Sequence, residues 1–475
     1  MYRHVALGSQ SDRLREYVSS MKEIDPWIYD EVILVLLAHI IHLYEKGIIS
    51  REIASRIVRT LLELRNRKNE ILKLPYEDVH EALEAKIIEK LSDDGAWINL
   101  GKSRNDQVVT AIRMKLRTTI IDLLNLLINL RWVLIEKAKG SIDIIIPYYT
   151  HQQPAQISVL AHYILSLEEM LRINWGILFN ILKECINLCP QGSAACASTT
   201  VPLDRKRIAR LLGFKAPIEN ALYATSTRDF ILHTTSALVV LLLELSRFIE
   251  DFILWNMPQI GYIILNPNHV STSSIMPHKR NPVTLEISRA RIGSVIGEHM
   301  SIISIYKSLP SGYNLDLQEI TRHLRRIIET SKDTIEVLID IIKTSSFNKD
   351  RMLKDATTYP IIASDVAEQL SLKAKIPFRK AYFEIAKLLA EYKSLDKVVK
   401  VLNEKYNLEL KLKNIRDWLS LKQGIGSPNI RSVKESIRRA ISSLNRDKSL
   451  IEEYTKYVNR GLTELESKIK DILRC

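Results

Sequence analysis

Cysteine is scarce in this chain, with four among 475 residues, at positions 185, 189, 196 and 475. Their spacing forms neither a zinc quartet nor a set of paired bridges, which excludes a small disulfide scaffold and a zinc module. They read as reduced thiols, and the expected location is cytoplasmic. Glycine and proline are also few, 15 of each, and long Leu/Ile-rich segments fill the space between them. That composition predicts an all-α fold. The most apolar run, Ser236-Ala-Leu-Val-Val-Leu-Leu-Leu, stops at Glu244, too short to cross a bilayer, and predicts a buried helix. The opening Met1-Tyr-Arg-His passes into polar Ser9-Gln-Ser-Asp-Arg, so no signal peptide is expected. Neither a zinc-finger pattern nor a basic arm accompanies the net charge of +13. Lys and Arg are interleaved with Glu and Asp along helical faces. The charge therefore predicts a solvated surface and an anionic small substrate, with nucleic acid as the minor alternative, and no membrane partner is expected.

Several stretches carry more than composition. Ser271-Thr-Ser-Ser-Ile-Met-Pro-His-Lys-Arg-Asn-Pro282 fits neither helical nor strand periodicity, and its two prolines exclude an uninterrupted helix. Asn281 is the expected N-cap of a helix from Val283, with Pro282 in its first turn. Lys279, the hydroxyls and free helix N–H groups would together suit a carboxylate. Asn99-Leu-Gly-Lys-Ser-Arg-Asn-Asp-Gln107 is a second polar loop before a helix reaching Gly140. Gly101 permits tight backbone there, and Ser103, Arg104 and Asn105 offer donors, the arginine bidentately. Pro147-Tyr-Tyr-Thr-His-Gln-Gln-Pro-Ala-Gln156 is expected as a third loop, feeding a helix from Ile157 to about Ile186. Helices are also predicted over 26–48, with Asp25 as N-cap, over 77–91, and over 228–255. His39 and His42 stand three apart on the first of these, a metal-like spacing with no third ligand nearby, so a core or surface role is expected. From about Asp355 the helices are expected to be shorter, with a turn at Gly424-Ile-Gly-Ser-Pro428.

The wording of these loops resembles a known family. Ser-Ser-Ile-Met-Pro-His-Lys-Arg-Asn-Pro resembles the signature of the fumarase/aspartase superfamily, whose members eliminate fumarate from substituted succinates. Ser-Arg-Asn-Asp-Gln is close to the wording of its argininosuccinate-cleaving branch, and Thr150-His-Gln-Gln-Pro-Ala-Gln156 is similar to the element that supplies a histidine. Gln152 and Ile157 depart from that element, as Tyr223 and Thr227 depart from two aspartates around Asn220–Phe230. In Leu309–Glu319, Tyr313 and Gln318 match positions that hold the amino-acid end of the substrate. Thr321 replaces an expected lysine, with Arg322 beside it.

The resemblance implies a long-helix bundle assembled as a homotetramer with a twenty-helix core and sites shared between subunits. Its domains are expected at 1–104, 105–354 and 355–475. It implies cleavage of argininosuccinate to arginine and fumarate without organic cofactor or metal. Ser273 is assigned as base, His151 as acid, Lys279 as carbanion stabiliser and Glu286 as the carboxylate orienting His151, with the Ser/His roles open to exchange. Ser20, Ser103, Arg104, Asn105, Thr150, Arg228, Asn281, Tyr313 and Gln318 are assigned to substrate binding. The alternatives are an adenylosuccinate-cleaving enzyme, whose branch has the nearer wording of the 271–282 loop, and a non-catalytic helical scaffold.

Overall fold

The computed structural model describes residues 11–411 and 414–474. The opening ten residues and Cys475, on which the leader and one thiol reading fall, lie outside the described residues. The described residues fold as helices, many of them long, with only two-stranded β elements among them. The elements that position the site are α1 (Asp25–Glu45), α2 (Val79–Leu91), α3 (Arg104–Lys139), the hairpin β1 (Ile145–Thr150) and β2 (Gln153–Val159), α4 (Leu160–Ile181), α5 (Asp229–Asn256), α6 (Val283–Tyr306), α7 (Asp316–Thr344) and α8 (Ile430–Leu473).

Local chemistry starts several of these helices. Ser103 caps α3, and the Asp106 side chain reaches back to the Ser103 N–H at 3.0 Å, forming a reciprocal capping box. Asp78 caps α2 through the Glu81 N–H at 2.8 Å, and Asn429 caps α8 through the Ser432 N–H at 2.8 Å. Two expected caps are corrected. Asp25 is the first residue of α1, not its cap; its carboxylate accepts from the Val79 N–H of α2 at 2.8 Å and from Ser20 Oγ at 2.9 Å. Pro282, not Asn281, stands in the cap position of α6, because the Asn281 backbone is paired with Ser271 on both sides of the loop.

Residues 147–156 are also not a loop. They form most of a β-hairpin whose register pairs Ile145 with Val159 and Pro147 with Ile157, so α4 begins only at Leu160. It ends in a π-helical turn over Leu182–Ile186, short of the expected uninterrupted helix. The short β segment expected near 260–265 is present, Ile263–Ile264 pairing with Ser346–Phe347.

The core is continuous through the bundle, with Leu116, Leu123, Leu171, Leu238, Ile292 and Leu324 among its buried residues. Burial of α5 is one-sided: Leu238, Leu241 and Leu242 are inside, while Val240 and Leu243 face outward. Among the described residues two helices, α1 and α3, are long and apolar enough to cross a membrane; more than half of each such window is buried inside the fold. His39 and His42 are core residues. His39 Nε2 lies 3.0 Å from the Leu100 carbonyl, and His42 Nε2 accepts the Asp204 N–H at 2.9 Å.

Between Ala363 and Leu421 the C-terminal helices are short, of 7 to 15 residues, as expected, but the segment does not end that way. Its last element, α8, runs 44 residues, with Val433, Ile437, Ala440, Leu444, Ile451 and Val458 buried along one stripe. It lies against the central helices, where buried Arg131 of α3 pairs with Glu168 of α4 at 2.8 Å and Asp447 of α8 at 2.7 Å. Close approach elsewhere requires glycine: a Cβ on Gly461 would sit 2.2 Å from the Arg210 carbonyl oxygen. Alanine is the better helix former by about 1 kcal/mol, so Gly461→Ala would stabilise α8 if the neighbour could yield. We expect a net destabilisation of about 1–3 kcal/mol from the forced overlap, read as a lower denaturant midpoint. An unchanged or raised midpoint would mean the turn at 210–213 gives way freely.

Candidate active site

Apart from Arg228, the sequence-derived residues fall into three groups in the single chain. The first surrounds a cavity of about 270 Å³ at the meeting of α1, α2, α3 and α7. Its lining includes Ser20, Arg104, Asn105, Tyr313 and Gln318. Residues from distant parts of the chain arrive there because Ser103 fixes the first turn of α3 and Asp316 opens α7 just beyond Tyr313. Ser103 itself serves as a cap, its Oγ accepting the Asn105 N–H at 3.3 Å. Asn105 Nδ2 donates to the Ala195 carbonyl at 3.2 Å, and Gln318 Nε2 donates to the Val18 carbonyl at 3.3 Å. Gly101 has the left-handed φ of +75° that its loop requires.

The same cavity holds residues that sequence reading did not place in a site: Asp25, Glu77, Asp78 and His80. Their only local signals were the acids Glu77 and Asp78 before α2, which read as a helix start, and Asp25, which read as the cap of α1. Arg104 pairs with Glu77 at 3.3 Å and Asp78 at 3.1 Å. Burial pulls the Arg104 guanidinium down, but Asp78 and Glu77 outweigh it and hold the group above its ordinary value. Burial pushes His80 down to about 4, leaving a neutral imidazole at pH 7. Thr321, in place of the expected lysine, also lines the cavity, and its Oγ1 is buried without a partner among the described residues. Arg322 is not in the lining; it pairs with Glu23 and Glu319.

The second group is the hairpin tip. His151 and Gln152 both have left-handed φ, 52° and 59°, and Thr150 pairs with Gln153 across them. This is the geometry of a two-residue hairpin turn. Thr150 and His151 are exposed.

The third group is the 271–282 loop, closed at its base by reciprocal backbone bonds between Ser271 and Asn281 at 3.0 and 2.8 Å. Within it, Ser273 Oγ accepts the N–H groups of Ile275 at 3.4 Å and Met276 at 3.2 Å. Lys279 is exposed, as is Glu286 in the first turn of α6, and Ile275 is 83% exposed.

None of His151, Ser273, Lys279, Asn281 or Glu286 lines the α1–α2–α3–α7 cavity. Among the described residues no hydrogen bond joins Glu286 to His151. Arg228 does not line the cavity, although it lies near enough to Tyr313 for their charges to interact: it is 1% exposed, and its Nη1 donates to the carbonyls of Thr227 at 2.7 Å and Thr225 at 3.3 Å. Burial lowers it to about 10. In this arrangement Arg228 is turned inward, with no face open to a ligand.

A family profile described as a lyase matches residues 6–297. The argininosuccinate lyase of Pyrococcus furiosus is 38% identical over 465 residues, 97% of this chain and 99% of that protein. The chain belongs to the argininosuccinate lyase family. The argininosuccinate lyase of Sulfurisphaera tokodaii is 40% identical over 97% of both chains, and that of Sulfolobus acidocaldarius 44% over 80% of this chain and 82% of its own. Among solved structures, EDDS lyase in complex with formate superposes with a TM-score of 0.84 at 24% identity, covering 98% of this chain and 96% of that one. A class II fumarase from Schistosoma mansoni matches with a TM-score of 0.66 at 18% identity over 83% of this chain and 94% of that one. These neighbours share the all-α fold.

The acids of the family member's cavity make its stability depend on pH. Burial first, and the Asp78 carboxylate second, raise Asp25 to about 7. An unfolded aspartate titrates near about 4. The folded chain therefore holds the extra proton between about pH 4 and 7, and stability falls as pH rises through that window. Asp25→Asn keeps an oxygen acceptor for the Val79 N–H and should flatten this decline. Urea unfolding at about pH 5 and about pH 8 measures it; an equal pH difference in both proteins would show that Asp25 is not its source.

Proposed function

We propose that the chain cleaves argininosuccinate to arginine and fumarate. The observation that carries the reading is the convergence of Ser20, Arg104, Asn105, Tyr313 and Gln318 on one cavity that also holds three carboxylates. Argininosuccinate presents carboxylates together with ammonium and guanidinium groups. A lining with Arg104 beside Asp25, Glu77 and Asp78 complements both signs. Adenylosuccinate carries a phosphate, which this acid-rich lining would repel.

In the elimination a base removes a proton from the succinyl carbon next to the carbon bearing nitrogen. The electron pair passes through the adjoining carboxylate, the C–N bond breaks, and the guanidinium nitrogen takes up a proton as it leaves. Ser273 is the base of this scheme. A neutral hydroxyl is a weak base, and the two N–H groups already aimed at Ser273 Oγ would support its ionised form. Lys279 and Asn281 hold the carboxylate on which charge develops, and His151 protonates the departing nitrogen. Arg104, Asn105, Thr150 and Ser103 hold the succinyl end, and Tyr313 and Gln318 the arginine end.

Separation of the three groups within one chain supports sites shared between subunits of a homotetramer, in which Glu286 of one chain would orient the His151 of another. Exposed Val240, Leu243, Ile287, Ile296, Met300 and Ile303 on α5 and α6 supply an apolar face for such an assembly. The domains at 1–104, 105–354 and 355–475 then serve as site walls, bundle and outer support. The enzyme is read as cytoplasmic.

Ultraviolet detection of fumarate, with argininosuccinate and adenylosuccinate supplied separately, tests the reading. Argininosuccinate should be cleaved and Ser273→Ala should abolish turnover. Gln318→Ala should raise KM about tenfold to a hundredfold, the loss of one hydrogen bond to a charged group. Efficient cleavage of adenylosuccinate alone would move the assignment to the purine substrate.

A further inference from the structure

The hairpin that carries His151 is weakly tied by its own backbone near the tip. Its register shifts between Tyr148 and Tyr149, and Tyr149 faces Pro154, which has no N–H to give. Beyond that point only the Thr150–Gln153 pair closes the turn. Two side-chain arms begin at the irregularity itself. Tyr148 Oη lies 2.7 Å from His162 Nδ1 on α4, and His162 Nε2 lies 2.7 Å from the Gly426 carbonyl. Tyr149 Oη lies 2.9 Å from Tyr262 Oη, which lies 3.0 Å from Asp355 Oδ2.

Each arm has a fixed direction. The Gly426 carbonyl only accepts, so His162 Nε2 carries the hydrogen, and a neutral ring then accepts the Tyr148 hydroxyl at Nδ1. The Asp355 carboxylate only accepts, so Tyr262 donates to it and accepts from Tyr149. Asp355 is itself held by Arg351 Nε at 3.1 Å. The far end of the first arm is anchored too: Ser427 Oγ donates to the Lys422 carbonyl at 2.7 Å, and Asn429 Nδ2 to Ser427 Oγ at 2.6 Å.

We propose that Tyr148–His162–Gly426 and Tyr149–Tyr262–Asp355 are positioning arms that fix the His151 turn, and that through them the segment after residue 348 takes part in the reaction. The inference rests on the reading of His151 as the acid of the elimination. These side chains touch no substrate; they hold the tip where a proton can be delivered in line with the departing nitrogen. A tip freed by about an ångström would lose turnover while substrate binding at the α1–α2–α3–α7 cavity stayed intact.

Tyr148→Phe and Tyr149→Phe remove only the donated hydrogen bonds. Each should lower kcat about tenfold to a hundredfold, the effect of slight misplacement of a catalytic group, with KM within about twofold of the parent. His162→Gln retains one acceptor and one donor and should keep most of kcat, whereas His162→Leu should behave like Tyr148→Phe. His151→Asn is measured alongside. If it stays active, the reading of His151 fails, and this proposal with it. If His151→Asn is inactive while both Phe variants and His162→Leu keep kcat within about twofold, the arms are overturned and the reading stands. A kcat loss accompanied by an equal loss of folded protein, read by circular dichroism at assay temperature, would also overturn the arms by showing a purely structural role.

Discussion

One buried carboxylate organises the cavity. Asp106 is fully buried, and its two oxygens accept three backbone N–H groups: Ser103 at 3.0 Å, Gly192 at 3.0 Å and Ala194 at 2.9 Å. The first bond closes the cap of α3, and the other two draw the 190–196 segment onto it. Asn105 then reaches the Ala195 carbonyl, and Arg104 is left on the cavity side. Burial pushes the Asp106 carboxyl up to about 6, with the three N–H groups and Lys102 pulling it back. It is ionised at neutral pH, where charge-assisted bonds to backbone amides are strongest. Replacing it with an apolar residue would orphan N–H groups from two loops at once. The placement of Ser103, Arg104 and Asn105 is therefore a consequence of the side chain that follows them.

The electrostatics of the cavity follow from what surrounds that anchor. Arg104 is a cation held against Glu77 and Asp78, with Asp25 behind them protonated through part of the physiological range. Such a cation is pre-oriented but not neutralised by one partner, so an incoming carboxylate can compete for it. The remaining acids then stay available to a cationic group. Preorganisation of this kind lowers the cost of binding because few groups have to move. By contrast, Ser273 and Lys279 stand on an exposed loop, an element that can close and exclude water, while His151 stands on an exposed turn.

Much of the helical frame is legible in the residues. The helices expected over 26–48, 77–91 and 228–255 and after the 99–107 loop are present, and the 271–282 stretch is irregular because its prolines and polar run allow no ladder. The hairpin was hidden: Pro147, Pro154 and three glutamines interrupt its alternation, and its left-handed turn uses His151 and Gln152 with no glycine to mark it. Asp25 looked like a local cap because local capping is what sequence spacing can express; its actual partner, the Val79 N–H, lies far along the chain. For the same reason Asp25 and His80 were missed as cavity residues, since nothing in their own segments records that α1, α2 and α7 meet. Arg228 is of a residue type suited to a substrate carboxylate, and what its sequence does not record is that packing buries it and turns its Nη1 toward two carbonyls.

The central claim is that groups kept apart in one chain form an active site only between chains. Mixing His151→Asn and Ser273→Ala enzymes, each inactive alone, tests it most directly once hybrid tetramers have been confirmed by native mass spectrometry. Random reassembly should restore up to about a quarter of parental turnover, the share of sites that draw an intact hairpin and an intact loop from different subunits. Confirmed hybrids with no activity above either parent would contradict the account and place both groups of each site in the same chain.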